Sequence, residues 1–190
     1  GGVVQIAKIC EKLVPFMALF YLGACLFVVS ANYRQLPTAF GVIFHSAFQF
    51  RSAAGGVLGY TFAGAVRFGV SRGIFTNEAG LGSAPIAHGS AAAESPVKQG
   101  MWGIFEVFFD TVVMCTLTAL VILTSGLWDS GLNGAALTTA AFSSAIGKYA
   151  SGFIAVSTAF FALASMLGWY YYGVCCLQYL SVKPQTTRIY

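Results

Sequence analysis

Long apolar runs separated by short polar ones set the pattern of this chain. Lys8, Glu11 and Lys12 precede an uncharged run from Leu13 to Tyr33, long enough to cross the hydrocarbon core of a bilayer. This predicts a spanning helix over 13–33. Pro15 falls in its first turns, where a missing amide donor does least damage, and Tyr33-Arg34 ends it with an aromatic and a charge suited to the interface. Leu36 to Phe50 is apolar but short, begins with Pro37 and contains His45, which predicts a surface or re-entrant helix over 36–50. The histidine there is read as interfacial rather than as a ligand.

From Ala53 to Ala92 the chain is rich in glycine and longer than one crossing, so a broken span over 56–92 is expected. Gly55/Gly59 and Gly69/Gly73 have the small-xxx-small spacing that lets helix backbones approach in lipid. Within this section Ser71-Arg72-Gly73-Ile74-Phe75-Thr76-Asn77-Glu78-Ala79-Gly80-Leu81-Gly82-Ser83 puts glycines, an amide and two charges where an apolar helix would otherwise continue. The expected break runs from about Ser71 to Asn77, with a small-residue half-helix after it. Arg72 and Glu78 would be costly in hydrocarbon, and ionisable groups at that depth mark functional positions when they face a cavity or a partner. The alternative is a polar loop.

Glu94-Ser95-Pro96-Val97-Lys98-Gln99 reads as a hydrophilic loop. A span over 102–127 follows, with Glu106 and Asp110 four residues apart in its first turns. Paired carboxylates can serve acid/base or ion-binding chemistry, or a helix-dipole and interfacial role after a polar loop. Asp110, the deeper of the two, is the functional candidate. A loop opens at Trp128-Asp129-Ser130-Gly131, a surface helix is expected over 133–148, and a last span over 152–180 carries the aromatic cluster Trp169-Tyr170-Tyr171-Tyr172. That cluster lies too deep for an interfacial belt and is expected to pack against helices or line a cavity.

With these elements the charges acquire sides. Lys8, Lys12, Lys98, Lys183 and Arg188 fall on one side and Arg34, Arg51 and Lys148 on the other, so the excess of cations places both ends of the chain in the cytoplasm. Composition agrees with a multi-pass protein of the cell membrane: 57% of residues are hydrophobic and 8% charged, against roughly a quarter charged in soluble domains. At ~20 residues per crossing the chain holds about four transmembrane helices. A net charge of +4, scattered and without a basic run, excludes nucleic acid as a partner. Five cysteines in apolar surroundings, without metal-ligand spacing, are expected to be small buried hydrophobes. No Met stands at position 1 and no leader opens the sequence, from which an upstream part is expected to be missing.

No phosphate-binding loop, dinucleotide fingerprint, zinc spacing or nucleophile elbow is present, and neither His45 nor His88 has a carboxylate or Cys partner at informative spacing. An enzyme is not expected, nor any cofactor. A broken helix in lipid exposes backbone amides and carbonyls near the midplane, where they can bind a zwitterion or a cation. That favours a carrier. The alternatives are a channel, for which repeated charge rings or a filter-like carbonyl run would be expected, and a structural membrane subunit.

Three stretches carry a family resemblance: Gly73-Ile74-Phe75-Thr76-Asn77-Glu78-Ala79-Gly80-Leu81-Gly82-Ser83-Ala84-Pro85-Ile86-Ala87-His88, Gln99 to Phe108, and Cys115 to Gly126. Together they resemble the alanine-or-glycine:cation symporters, also called sodium:alanine symporters, and the likeness extends over essentially the whole chain. The resemblance implies an all-α integral membrane protein, part of an inverted-repeat transporter of the leucine-transporter type, with this chain as helices five to eight, the break in helix six, and helix one absent. It implies sodium-coupled symport of a small neutral amino acid, alanine or glycine, or a proton-coupled variant. On that likeness Gly73, Ile74, Phe75, Thr76 and Asn77 line the amino-acid pocket and Trp169 bounds its size. Ala162 and Ser165 are the sodium ligands. The pattern's adjacent Ser-Thr pair appears here as Ala164-Ser165, so one hydroxyl of two is present. Arg72, Glu78 and Asp110 are candidates for gating or structure. The implied partners are the amino acid, sodium and the lipid bilayer.

Overall fold

A computed structural model describes residues 3–48, 57–78 and 80–180. Gly55, Gly56, Ala79 and the charges Arg51, Lys183 and Arg188 lie outside the described residues, as does the end of the 36–50 helix. Every regular element among the described residues is a helix, with no strand among them. In order they form α1 (Val3–Ala31), a 3₁₀ turn (Tyr33–Gln35), α2 (Leu36–Phe48), α3 (Val57–Thr76), α4 (Ala84–Gly89) and α5 (Pro96–Val107). A π-helical segment (Phe108–Met114) continues α5 into α6 (Cys115–Ser125), and α7 (Gly134–Ile146), a 3₁₀ turn (Gly147–Tyr149) and α8 (Ala150–Tyr179) follow. Three stretches are long and apolar enough to cross a membrane: Glu11–Ala31, Pro96–Ser125 and Gly134–Tyr179. This is an all-α membrane protein.

The helices form two compact units, Asn32–Gly126 and the remainder of the chain. In the unit built from the two ends, α1 packs on α7 and α8, and α7 on α8. Its core is aromatic. The Tyr21 ring meets Phe161 edge-on at 5.8 Å and lies 6.0 Å from Phe142, while Phe153 lies 5.4 Å from Phe142 and 5.2 Å from Phe20. Such ring pairs add about 0.5–1.5 kcal/mol each beyond the area they bury. Phe142, Val28, Cys25 and Ala150 are fully buried around them. Between α1 and α8 a cavity of about 160 Å³ is walled by Phe16, Phe20, Phe160 and Phe161, with the buried hydroxyl of Ser157 in its lining.

In the other unit α2 packs on α6, α4 on α5, and α3 meets the π segment. Val121 and Thr124 are its buried residues on α6, and the Thr124 hydroxyl donates to the Leu120 carbonyl at 2.7 Å, which satisfies it inside the helix. α5 begins inside the stretch expected to be a loop. Ser95 caps it by accepting from the Lys98 amide at 3.2 Å, and Pro96 takes the first helical position, where its missing N–H costs nothing. Outside both cores large apolar side chains are bare, among them Phe16, Leu19, Ile104 and Met166, each at least 63% exposed. Bare apolar surface on this scale marks contact with lipid or protein rather than water. The cysteines divide: Cys25 is buried, but Cys115 and Cys176 are exposed, because they sit on the outward faces of α6 and α8.

Candidate functional site

The break lies one helical turn later than its composition indicates. Residues 71–76 continue α3, and the Gly73 carbonyl accepts the Asn77 amide at 3.2 Å as an ordinary helical bond. Ser71 and Gly73 are tolerated in the helix, at a cost of about 1 kcal/mol for the glycine. The chain turns instead through residues 77–83, where Glu78, Gly80 and Gly82 hold φ of 56°, 81° and 82°. Left-handed backbone is open to glycine and strained for Glu. The Glu78 conformation is held by a side-chain bond across the turn: Ser83, itself buried, donates its hydroxyl to Glu78 Oε2 at 2.7 Å. After the turn α4 is only six residues long, with Pro85 in its first turn.

Asn77, the first residue beyond α3, donates its side-chain amide to Thr111 Oγ1 at 3.1 Å. Thr111 belongs to the π segment. The break is thereby fastened to an irregular point of the neighbouring helix, and π segments recur at functional sites because the inserted residue re-aims the side chains around it. Asp110 is the residue before Thr111. Its Oδ2 is shielded from solvent and has no hydrogen-bond partner among the described residues. Arg72 is exposed on α3, and neither of the two described ion pairs includes it.

A second cluster joins α4 to α5. His88 Nδ1 lies 2.9 Å from Gln99 Nε2, and His88 Nε2 lies 3.4 Å from Glu106 Oε2. Sequence spacing gave His88 no carboxylate partner; packing of α4 on α5 supplies one. Gly103 makes the approach possible, since a Cβ there would stand 3.3 Å from His88 Nε2. It is this glycine, and not Gly69 or Gly73, that admits a close neighbour, for a Cβ at either of those would meet nothing within 4 Å. The loop before α5 adds an exposed pair between Lys98 and Glu94.

On α8, in the other unit, Ala162, Ser165 and Trp169 share one face by their spacing and are exposed. Trp169 packs edge-on against Tyr172 with centroids 5.8 Å apart, so the aromatic cluster pairs partly with itself along the helix. Thr111, His88 and Gln99 are the residues that sequence reasoning passed over. Only Thr111 had a signal, its place beside Asp110.

Residues 1–190 match the family described as the sodium:alanine symporter family. Among similar proteins are a probable sodium/glutamine symporter, GlnT, of Bacillus subtilis, 44% identical over 100% of this chain and 39% of its own length. The sodium/alanine symporter AgcS of Methanococcus maripaludis is 41% identical over 100% of this chain and 42% of its length. A sodium/proton-dependent alanine carrier protein of Bacillus sp. PS3 is 39% identical over 95% of this chain and 43% of its length. The chain thus spans about two fifths of the length of these relatives. With the match covering every residue, the chain belongs to the sodium:alanine symporter family.

Proposed function

We propose that the protein is a secondary carrier of the cell membrane that moves a small neutral amino acid, alanine or glycine, together with sodium by alternating access. The observation that carries this reading is the family match over residues 1–190. The interrupted helix at 77–83 supports it physically, because helix ends inside a membrane offer oriented carbonyls and dipoles to zwitterions and cations. Four crossings are proposed, with α3 and α4 completing the one that the break interrupts, and with Lys8, Lys12 and Lys98 facing the cytoplasm.

In this reading the end of α3, from Gly73 to Asn77, meets the substrate. Trp169 limits its size, and the Ala162 carbonyl and Ser165 hydroxyl are ligands for sodium, a hard cation suited to oxygen donors. Sodium binding contributes a coupling free energy of about 1–3 kcal/mol per linked site. Uptake of labelled alanine by the full-length protein in vesicles should rise when an inward sodium gradient is imposed, and uptake indifferent to sodium and to pH gradients would overturn the proposal. Ser165→Ala should raise the sodium concentration needed for half-maximal uptake; an unchanged sodium dependence removes Ser165 from the ion site. A proton-coupled variant is the second reading, favoured by the relative named as a sodium/proton-dependent alanine carrier.

A further inference from the structure

α4 runs for only six residues, Ala84–Gly89, between the turn at 77–83 and the loop before α5. Isolated helices below ~12–15 residues are marginal in water, so the helical bonds of α4 depend on what it is docked against. Among the described elements it packs on α5, and α5 offers a socket. Gln99, Gly103 and Glu106 fall on one face by their spacing, and His88 reaches across to all three. Its Nδ1 lies 2.9 Å from Gln99 Nε2, its Nε2 lies 3.4 Å from Glu106 Oε2, and a Cβ at Gly103 would stand 3.3 Å from that same Nε2. The imidazole is 25% exposed in this seat.

Both ring nitrogens are engaged, by partners of different kinds. The Gln99 amide nitrogen donates, so Nδ1 accepts and the proton of the neutral ring sits on Nε2, toward the Glu106 carboxylate. Histidine is the side chain whose charge ordinarily changes between pH 5 and 8. A second proton goes to Nδ1: Gln99 then turns its amide so that Oε1 accepts, and the contact with Glu106 becomes an ion pair, the stronger kind. Every contact is kept and one is strengthened. The charged groups nearby leave that balance standing. Lys98 on α5 pairs with Glu94, Asp110 lies four residues beyond Glu106 and adds negative charge along the same helix, and Glu78 in the preceding turn accepts from Ser83. α4 itself carries no charged residue besides His88. We propose that His88 is a proton-strengthened latch: charging its ring tightens the docking of α4, the short helix beyond the break, onto α5. The proton acts on the latch and is not cargo. Its effect on transport rests on the symport reading; the latch itself rests on the three contacts.

The test is amide hydrogen exchange on the purified full-length protein without substrate, read at peptides covering 84–91 and corrected for the intrinsic pH dependence of exchange. Because α4 is too short to hold its bonds undocked, its protection reports docking. Wild type is compared with His88→Gln, which keeps a hydrogen-bonding side chain that does not titrate, and with Glu106→Gln, which keeps the shape and removes the charge. Between about pH 8 and about pH 5.5 the protection of 84–91 in wild type should rise by up to about fivefold, the range of an ion pair with one exposed partner. Both variants should lose that rise. No rise in wild type, or the same rise in His88→Gln, overturns the latch. Should His88→Gln not give a monodisperse protein, Glu106→Gln decides: a flat profile supports the latch and a retained rise overturns it. On the symport reading a more firmly docked α4 moves less readily, so alanine uptake in vesicles should fall toward acid pH in wild type and less so in His88→Gln. Wild-type vesicles that take up no alanine at any pH would remove the symport reading alone, with exchange still deciding the latch.

Discussion

The bond from Asn77 to Thr111 can be weighed against the idea that Asn77 acts on the substrate directly. It is a neutral hydrogen bond of 3.1 Å in a partly buried place, with the break on one side and the π segment on the other. Such a bond contributes about 1 kcal/mol net in proteins and about 0.6 on average, up to about 1.7, within membranes. Since 1.4 kcal/mol is about tenfold in an equilibrium constant, losing the bond should lower the docked fraction of the break by roughly threefold to tenfold. Thr111→Val keeps the shape and removes the hydroxyl, so alanine uptake by the full-length protein should fall by about that factor. Asn77→Ala should fall at least about tenfold, because the substrate also loses the carboxamide. The double variant should be no worse than Asn77→Ala alone, a coupling of about 1 kcal/mol. Initial rates in vesicles, normalised to inserted protein, give all three numbers. If the single effects multiply, with coupling within about 0.3 kcal/mol, the bond does no energetic work and Asn77 acts by itself. Wild-type uptake by Asn77→Ala would remove Asn77 from the site.

Two other substitutions separate tight packing from slack. Gly103→Ala needs His88 to shift only slightly and gains up to about 1 kcal/mol of helix propensity, so it should be near neutral. Gly103→Val, whose branches occupy the space of the ring 3.3 Å away, should cost about 1–3 kcal/mol and lower the melting temperature in detergent; equal melting for the two variants would refute the contact. Ser157 has a buried hydroxyl without a partner among the described residues. Ser157→Ala should therefore leave stability unchanged or raised, and a loss of more than about 1 kcal/mol in the same melting experiment would mean that the hydroxyl is bonded.

The long apolar helices were legible because nothing but length and charge decides them. α1 lies over the first uncharged run but starts ten residues earlier, at Val3, and α8 matches the last run to within two residues at either end. The break was legible in kind but not in place. Composition points to Ser71 and Gly73, yet a helix accepts both, and the turn begins where backbone goes left-handed at Glu78, a residue type that gives no such signal. Nothing in Phe108-Phe109-Asp110-Thr111-Val112-Val113-Met114 announces a π segment, since an inserted residue is a tertiary adjustment. The Ser95-Pro96 start of α5 was visible as a cap and a first-turn proline, and its polarity hid it within an apparent loop. His88 and Glu106 are eighteen positions apart, beyond any periodicity, so only packing of α4 on α5 could join them.

The geometry of the break also divides the work of binding a zwitterion. The end that α3 presents is a C-terminus, with negative dipole and outward carbonyls, which suits an ammonium group or a metal cation. The opposing helix, α4, begins with Pro85 in its first turn, lacks a side-chain cap bond and runs only six residues. Proline removes a donor where an anion would need one, and so short a helix accumulates little dipole. Glu78 cannot help the carboxylate of a substrate either, because it is itself an anion, already accepting from Ser83. On the symport reading, then, this break receives the positive end of the amino acid, and the carboxylate must be met by amides or cations from other elements of the carrier.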